Sequence, residues 1–91
     1  MVKRDLIEIV AKKAHMTRRA AREAIDVLVN EITKAMARGE RVLISGFGTF
    51  KVIKVDDKEV VIPGTGERRL IKAHRTPRFV AGKPLKRAVR S

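Results

Sequence analysis

The sequence predicts an α+β fold: a helical hairpin base, a three-stranded antiparallel sheet carrying a long projecting β-arm, and a short C-terminal helix. Three observations predict it. Apolar residues recur at helical spacing as far as Arg38, then give way after Glu40 to runs rich in β-branched residues. A turn cluster, Pro63-Gly64-Thr65-Gly66, separates two limbs too long to lie within a compact body of this size. The 91 residues contain no Cys, so neither disulfides nor thiolate metal sites supplement a small core. Oligomerisation is the remaining common remedy for such a chain. Residues 1–91 read as a single domain, with a helical base over 1–40, sheet and arm over 41–80 (the arm at about 54–75), and a C-terminal helical part over 81–91.

The first helix is expected over 3–14, where Leu6, Ile7, Val10, Ala11 and Ala14 make one apolar stripe. Asp5 and Glu8 lie early in it and Lys12 and Lys13 late, as the helix dipole favours. His15-Met16-Thr17 is a short connection, and Thr17 is the expected N-cap of a second helix over 18–38. Ala21, Ala24, Ile25, Leu28, Ile32, Ala35 and Met36 form its stripe, while Val27 and Val29 widen it beyond what one small helix would cover. Gly39 is placed to end the helix in a left-handed conformation.

Arg41 to Ser45 reads as a short strand, Gly46-Phe47-Gly48 as a tight turn, and Thr49 to Val55 as a second strand. If 63–66 is the tip, each limb has about 12 residues, roughly 40 Å at ~3.3 Å per residue. A compact domain of this length is only about 25 Å across. The limbs must therefore project as a two-stranded ribbon, and such a ribbon is marginal in water on its own. Thr76 to Val80 resumes a core strand, and a basic helix over 83–90 closes the chain, with Leu85, Ala88 and Val89 on its apolar side.

Charge points to the partner. There are 22 Lys+Arg against 10 Asp+Glu, a formal +12, so a polyanion is expected, nucleic acid before an anionic membrane surface. Residues 1–40 hold nine basic and six acidic groups and residues 41–91 hold thirteen and four, so the second half carries +9 of the charge. No apolar run is long enough for a membrane span and no secretory signal opens the chain, which reads as cytoplasmic. No catalytic or metal-binding constellation assembles. His15 and His74 are isolated, and Asp56 and Asp57, adjacent in an extended limb, point to opposite faces. Gly46-Phe47-Gly48 and Gly64-Thr65-Gly66 lack the remaining features of a nucleotide loop. No cofactor, metal or enzymatic activity is expected.

A basic ribbon with a proline at its tip has two readings. Ribbons fit DNA grooves, and architectural proteins wedge proline between base steps to kink the duplex. Alternatively, Pro63-Gly64 simply makes a turn.

The run Gly46-Phe47-Gly48-Thr49-Phe50 resembles the GFGxF segment of the bacterial HU/IHF family of histone-like DNA-binding proteins. The run from Pro77 to Lys86 is similar to that family's PxFxxGKxLK segment, and Pro63-Gly64-Thr65-Gly66 to its arm tip, usually NPxTG. The three lie in register over roughly residues 3–90. The resemblance implies an intertwined dimer whose two arms reach round DNA through the minor groove, with Pro63 intercalating. It makes Phe47, Phe50 and Phe79, the only aromatic residues, core anchors, and Lys3, Lys83 and Lys86 phosphate contacts. The DNA-binding set is then Lys3, Lys54, Lys58, Ile62, Pro63, Arg68, Arg69, Lys72, Arg75, Lys83 and Lys86.

The arm departs from the family pattern. The family's outgoing arginines and the Arg-Asn just before its proline are replaced by Val55, Lys58, Val61 and Ile62, with Asp56, Asp57 and Glu59 among them. The outgoing limb 54–62 has two bases and three acids, and the returning limb 67–75 four bases and one acid. If the limbs pair about the tip, residues whose numbers sum to about 129 face each other, and Asp57 opposes Lys72. Ile62 beside Pro63 would widen the wedge. The expectation is a nucleoid-associated homodimer, or a heterodimer with a paralogue, that binds double-stranded DNA with little sequence specificity and bends or compacts it. The alternatives are an IHF-like sequence-selective bender and a dimeric interaction protein with weakened DNA binding.

Overall fold

The structure is a computed structural model describing residues 1–90. It divides into two compact units, Met1–Lys34 and the remainder from Ala35 onward.

The first unit holds α1 (Lys3–Lys13) and most of α2 (Arg18–Ala37). At the start of α1 the Asp5 carboxylate accepts the Val2 N–H at 2.8 Å, satisfying a donor that the helix leaves free. The helix ends through His15, a non-glycine residue at φ 55°, and the Met16 N–H donates to the Ala11 carbonyl at 2.8 Å. That six-to-one bond is the closure of a Schellman motif. Thr17 caps α2 as expected, its Oγ1 accepting the Ala20 N–H at 3.0 Å. Ile7, Ala11 and Ala21 are buried, with Val10 and Ile25 packed against them.

The second unit begins with the last turn of α2. Gly39 adopts φ 80°, its N–H donates to Met36 at 2.9 Å, and the Glu40 N–H donates to Ala35 at 2.9 Å. The helix therefore stops at Gly39 by a complete Schellman motif, as the glycine predicts. Beyond it, Arg38 hydrogen-bonds Glu40 through Nε and a terminal nitrogen, each at 3.2 Å. Those bonds, and then the guanidinium charge, hold the Glu40 carboxyl below the usual glutamate range.

Three strands follow in the order β1 (Val42–Ile44), β2 (Gly48–Val55) and β5 (His74–Ala81), all antiparallel. Pro77 lies in β5, an edge strand, where a missing N–H is tolerated. Phe50 pairs with Phe79 across the ladder, and the Phe79 ring lies 4.8 Å from Phe50 and 5.2 Å from Phe47 by centroids. A Cβ on Gly48 would sit 2.5 Å from the Phe79 ring and 2.6 Å from the Val80 carbonyl, so only glycine fits beneath this cluster. The three phenylalanines do gather. Yet Phe47 is 43% and Phe79 38% exposed in the single chain, so the anchors are only partly covered. The Phe47 carbonyl accepts the Gly82 N–H at 2.8 Å, which ties the β1–β2 turn to the start of α3 (Lys83–Val89).

The arm is a separate two-stranded sheet of β3 (Lys58–Val61) and β4 (Arg68–Ile71). Every pairing in β2–β5 and in β3–β4, from Gly48↔Ala81 to Val61↔Arg68, joins residues whose numbers sum to 129. The ladder lapses at Asp56-Asp57 and Lys72-Ala73 without shifting register. The expected pair of Asp57 with Lys72 is not what fills that gap. Asp57 instead accepts the Ala73 backbone N–H at 2.6 Å, because where the ladder lapses a free amide is the nearer donor.

Candidate nucleic-acid interface

The arm tip is a four-residue loop closed by its own backbone. The Ile62 N–H donates to Glu67 at 2.8 Å and the Gly66 N–H to Ile62 at 3.1 Å, while Thr65 Oγ1 accepts the Glu67 N–H at 3.3 Å. Gly64 and Gly66 take left-handed angles of 94° and 72°. Pro63 stands exposed at the end of this loop, next to half-buried Ile62.

Below the tip, strand alternation sorts the remaining candidates by face. Lys58, Val60 and Ile62 share one face with Arg69 and Ile71, their partners or neighbours in the register. Glu59 and Val61 share the other with Arg68 and Leu70. On that second face Arg68 reaches Glu59 diagonally at 3.7 Å. Lys58 and Arg69 are thus on the Ile62 side of the ribbon, and Arg68 is on the opposite side, engaged with an acid of the facing strand.

At the root of the arm, Lys54 faces Arg75 across the ladder. Like charges at opposed positions repel unless something else holds them. Arg75 is held: a terminal nitrogen donates to the Ala37 carbonyl at 3.0 Å, one of the last carbonyls of α2. Lys72 lies in the lapse of the ladder, its carbonyl 2.8 Å from Nδ1 of His74. Lys54, Lys58, Arg68, Arg69, Lys72 and Arg75 are all exposed. Lys83 and Lys86 are exposed on α3. Lys3, in the other unit, is exposed on α1 and ion-paired with Asp26 of α2.

Two further cations were not selected from sequence. Lys51 pairs with Arg78 directly across β2 and β5. The signal was present in the alternation of 49–55 and 76–80, but it needed the register to bring the two together.

Comparison with known proteins decides the family. The model for bacterial DNA-binding proteins matches residues 1–90. The chain belongs to the HU/IHF family. It is 42% identical over 89 residues to the DNA-binding protein HU-beta of Neisseria meningitidis, covering 98% of this chain and all of the relative. It is 44% identical over 91 residues to the HU of Xylella fastidiosa, covering 100% and 97%. Among solved structures, Anabaena HU in a cocrystal with DNA superposes with a TM-score of 0.91 at 33% identity, covering 99% of this chain and 98% of that one. HU from Thermotoga maritima superposes with a TM-score of 0.70 at 34% identity, covering 99% and 100%. The α+β fold with its arm is the HU fold, as the glycine-phenylalanine turn, the tip and the Pro77–Lys86 segment led one to expect. Among the described residues, no helix of this HU/IHF-family chain is long and apolar enough to cross a membrane.

Proposed function

We propose that this HU/IHF-family chain is an architectural DNA-binding protein, a homodimer that grips duplex DNA through the minor groove and bends it with little sequence preference. The observation that carries the reading is the arm: a self-paired ribbon ending in an exposed Pro63 whose loop needs no hydrogen bond from that residue. A rigid residue with no N–H at the end of a lever is the form of a base-step wedge. Ile62 beside it extends the apolar tip. Lys58 and Arg69, on the Ile62 face, contact the groove walls, while Lys54, Arg68, Lys72 and Arg75 follow the phosphates along the ribbon. Lys3, Lys83 and Lys86 hold the flanking duplex.

The acidic outgoing limb does not count against this. Asp57 is taken up by the Ala73 amide and Glu59 lies against Arg68, so two of its three acids stiffen the ribbon. Dimerisation follows from what the single chain leaves uncovered. Val27, Leu28 and Val29 are 54%, 54% and 57% exposed on α2, Phe47 is open in the β1–β2 turn and Phe79 on the sheet. Apolar surface of this extent marks an interface. The protein acts without catalysis, on the nucleoid in the cytoplasm.

Fluorescence anisotropy on a duplex of about 30 base pairs, with end-to-end energy transfer reporting the bend, tests the reading. Binding should weaken steeply with added salt as phosphate counterions are released. Pro63→Ala should retain most of the affinity and lose much of the bend. A wild-type protein that leaves the duplex free near physiological salt would overturn the proposal. A strong preference for one selected site over random duplex would move it to the sequence-selective branch of the family.

A further inference from the structure

The arm has two faces, and its apolar residues are covered unequally between them. On the Lys58–Arg69 face Val60 and Ile62 are half-buried and Ile71 is 39% exposed. On the opposite face Val61 and Leu70 are 61% and 63% exposed, diagonal to one another in adjacent rows of the ladder. Arg68 stands level with Val61, and Glu59 level with Leu70. Val61 is also one of the positions at which the arm departs from the family pattern, so the apolar character of this face belongs to this chain. A two-stranded ribbon needs a further layer to cover such a pair.

Charge on the same face is divided by strand. Glu59 lies on the outgoing limb and Arg68 on the returning one, 3.7 Å apart with both side chains mostly exposed. That division is self-complementary under one symmetry. A two-fold axis parallel to the strands lays the outgoing limb of a second copy over the returning limb of the first. Glu59 of each copy then comes beside Arg68 of the other. The Val61 and Leu70 side chains fill the layer between, since facing sheets sit ~10 Å apart. An axis across the strands would instead set the two acidic limbs against each other. The favoured axis keeps both tips pointing the same way, the sense of arms that reach round one duplex from neighbouring dimers.

We propose that the Val61–Leu70 face of the arm docks against the same face of a second copy, and that this contact couples neighbouring dimers on DNA. The inference rests on the DNA-binding reading and leaves the Lys58–Arg69 face to the groove. In the coupled state Arg68 turns to the neighbouring Glu59, and the other cations of the ribbon keep the phosphates. Two apolar side chains per arm are too few to join free dimers. Between dimers held side by side on one duplex the effective concentration is high, and a weak contact becomes cooperative binding.

The test compares binding to a duplex short enough for one dimer with binding to one long enough for several. The wild type should bind the long duplex cooperatively, each added dimer held at least about tenfold more tightly than the first. Val61→Thr/Leu70→Thr keeps β-branched residues in both strands, so it should match the wild type on the short duplex within about twofold and lose the cooperativity. Glu59→Lys separates the surface from simple charge. It adds positive charge, so its affinity for the short duplex should rise, yet it sets two basic limbs face to face, so its cooperativity should fall. If the double variant loses affinity for the short duplex as well, the Glu59→Lys result decides. A wild type that binds both duplexes without cooperativity would overturn the inference and leave the DNA reading intact. So would cooperativity retained in Val61→Thr/Leu70→Thr, or a Glu59→Lys protein that gains on both duplexes alike. Failure of the wild type to bind the short duplex would instead strike the DNA-binding reading.

Discussion

Single residues carry much of the second unit's geometry, and Gly48 is the clearest. Its missing side chain is the space that the Phe79 ring occupies, with the Val80 carbonyl closing the other side. The Val80 carbonyl belongs to the paired backbone and cannot move away. Gly48→Ala should therefore lower stability by about 1–3 kcal/mol, the range of overpacked cores, read as a drop in melting temperature. The glycine was legible from sequence as part of a turn around a phenylalanine, but the ring that excludes a methyl there belongs to a strand some thirty residues away. Only the β2–β5 register brings it near. His15 was illegible for a local reason. It reads as a surface histidine, while its backbone holds the left-handed position that glycine usually takes at a helix end. Arg75 was selected for its charge, and its bond to the Ala37 carbonyl is a second role that no spacing in the sequence announces.

The elements were legible nearly throughout, because capping and alternation are local. Thr17, Gly39 and the 63–66 tip bound what they were expected to bound, and the limb register follows once the tip is placed. The partner of Asp57 was not legible. An acid opposite a lysine suggests an ion pair, yet where the ladder lapses the freed amide of Ala73 competes and wins. This bond spans the only lapse between the sheet and the arm. Asp57→Ala should cost about 1 kcal/mol of local stability, the usual worth of such a bond. Faster amide hydrogen exchange in β3 and β4, with the global melting temperature nearly unchanged, is the expected signature. Uniform destabilisation of the whole chain would show that the arm is not an independently opening segment.

At the scale of the whole molecule, the single chain is short of core. Among the described residues the buried apolar ones are Ile7, Ala11, Ala21 and Ala35, of which three are alanines. The widened stripe at Val27 and Val29 was the one sign in the sequence that α2 serves more than its own hairpin. Which surface covers it lay beyond periodicity, since an interface between copies leaves no spacing within one copy. Folding and association should therefore be one transition. The melting temperature should fall on dilution, and sedimentation should give twice the 10.2 kDa chain mass at micromolar concentration. A melting temperature independent of concentration would mean that the chain is stable alone.

The unbroken register of the ribbon also limits how such an arm can change length over generations. Losing one residue from one limb would turn every side chain beyond it to the opposite face, reversing the sides that Ile62 and Arg68 occupy. Losing two residues from each limb would keep the faces and shorten the reach by about 7 Å. Insertions and deletions should therefore survive only as matched pairs, and the arm's reach is a trait that varies in discrete steps.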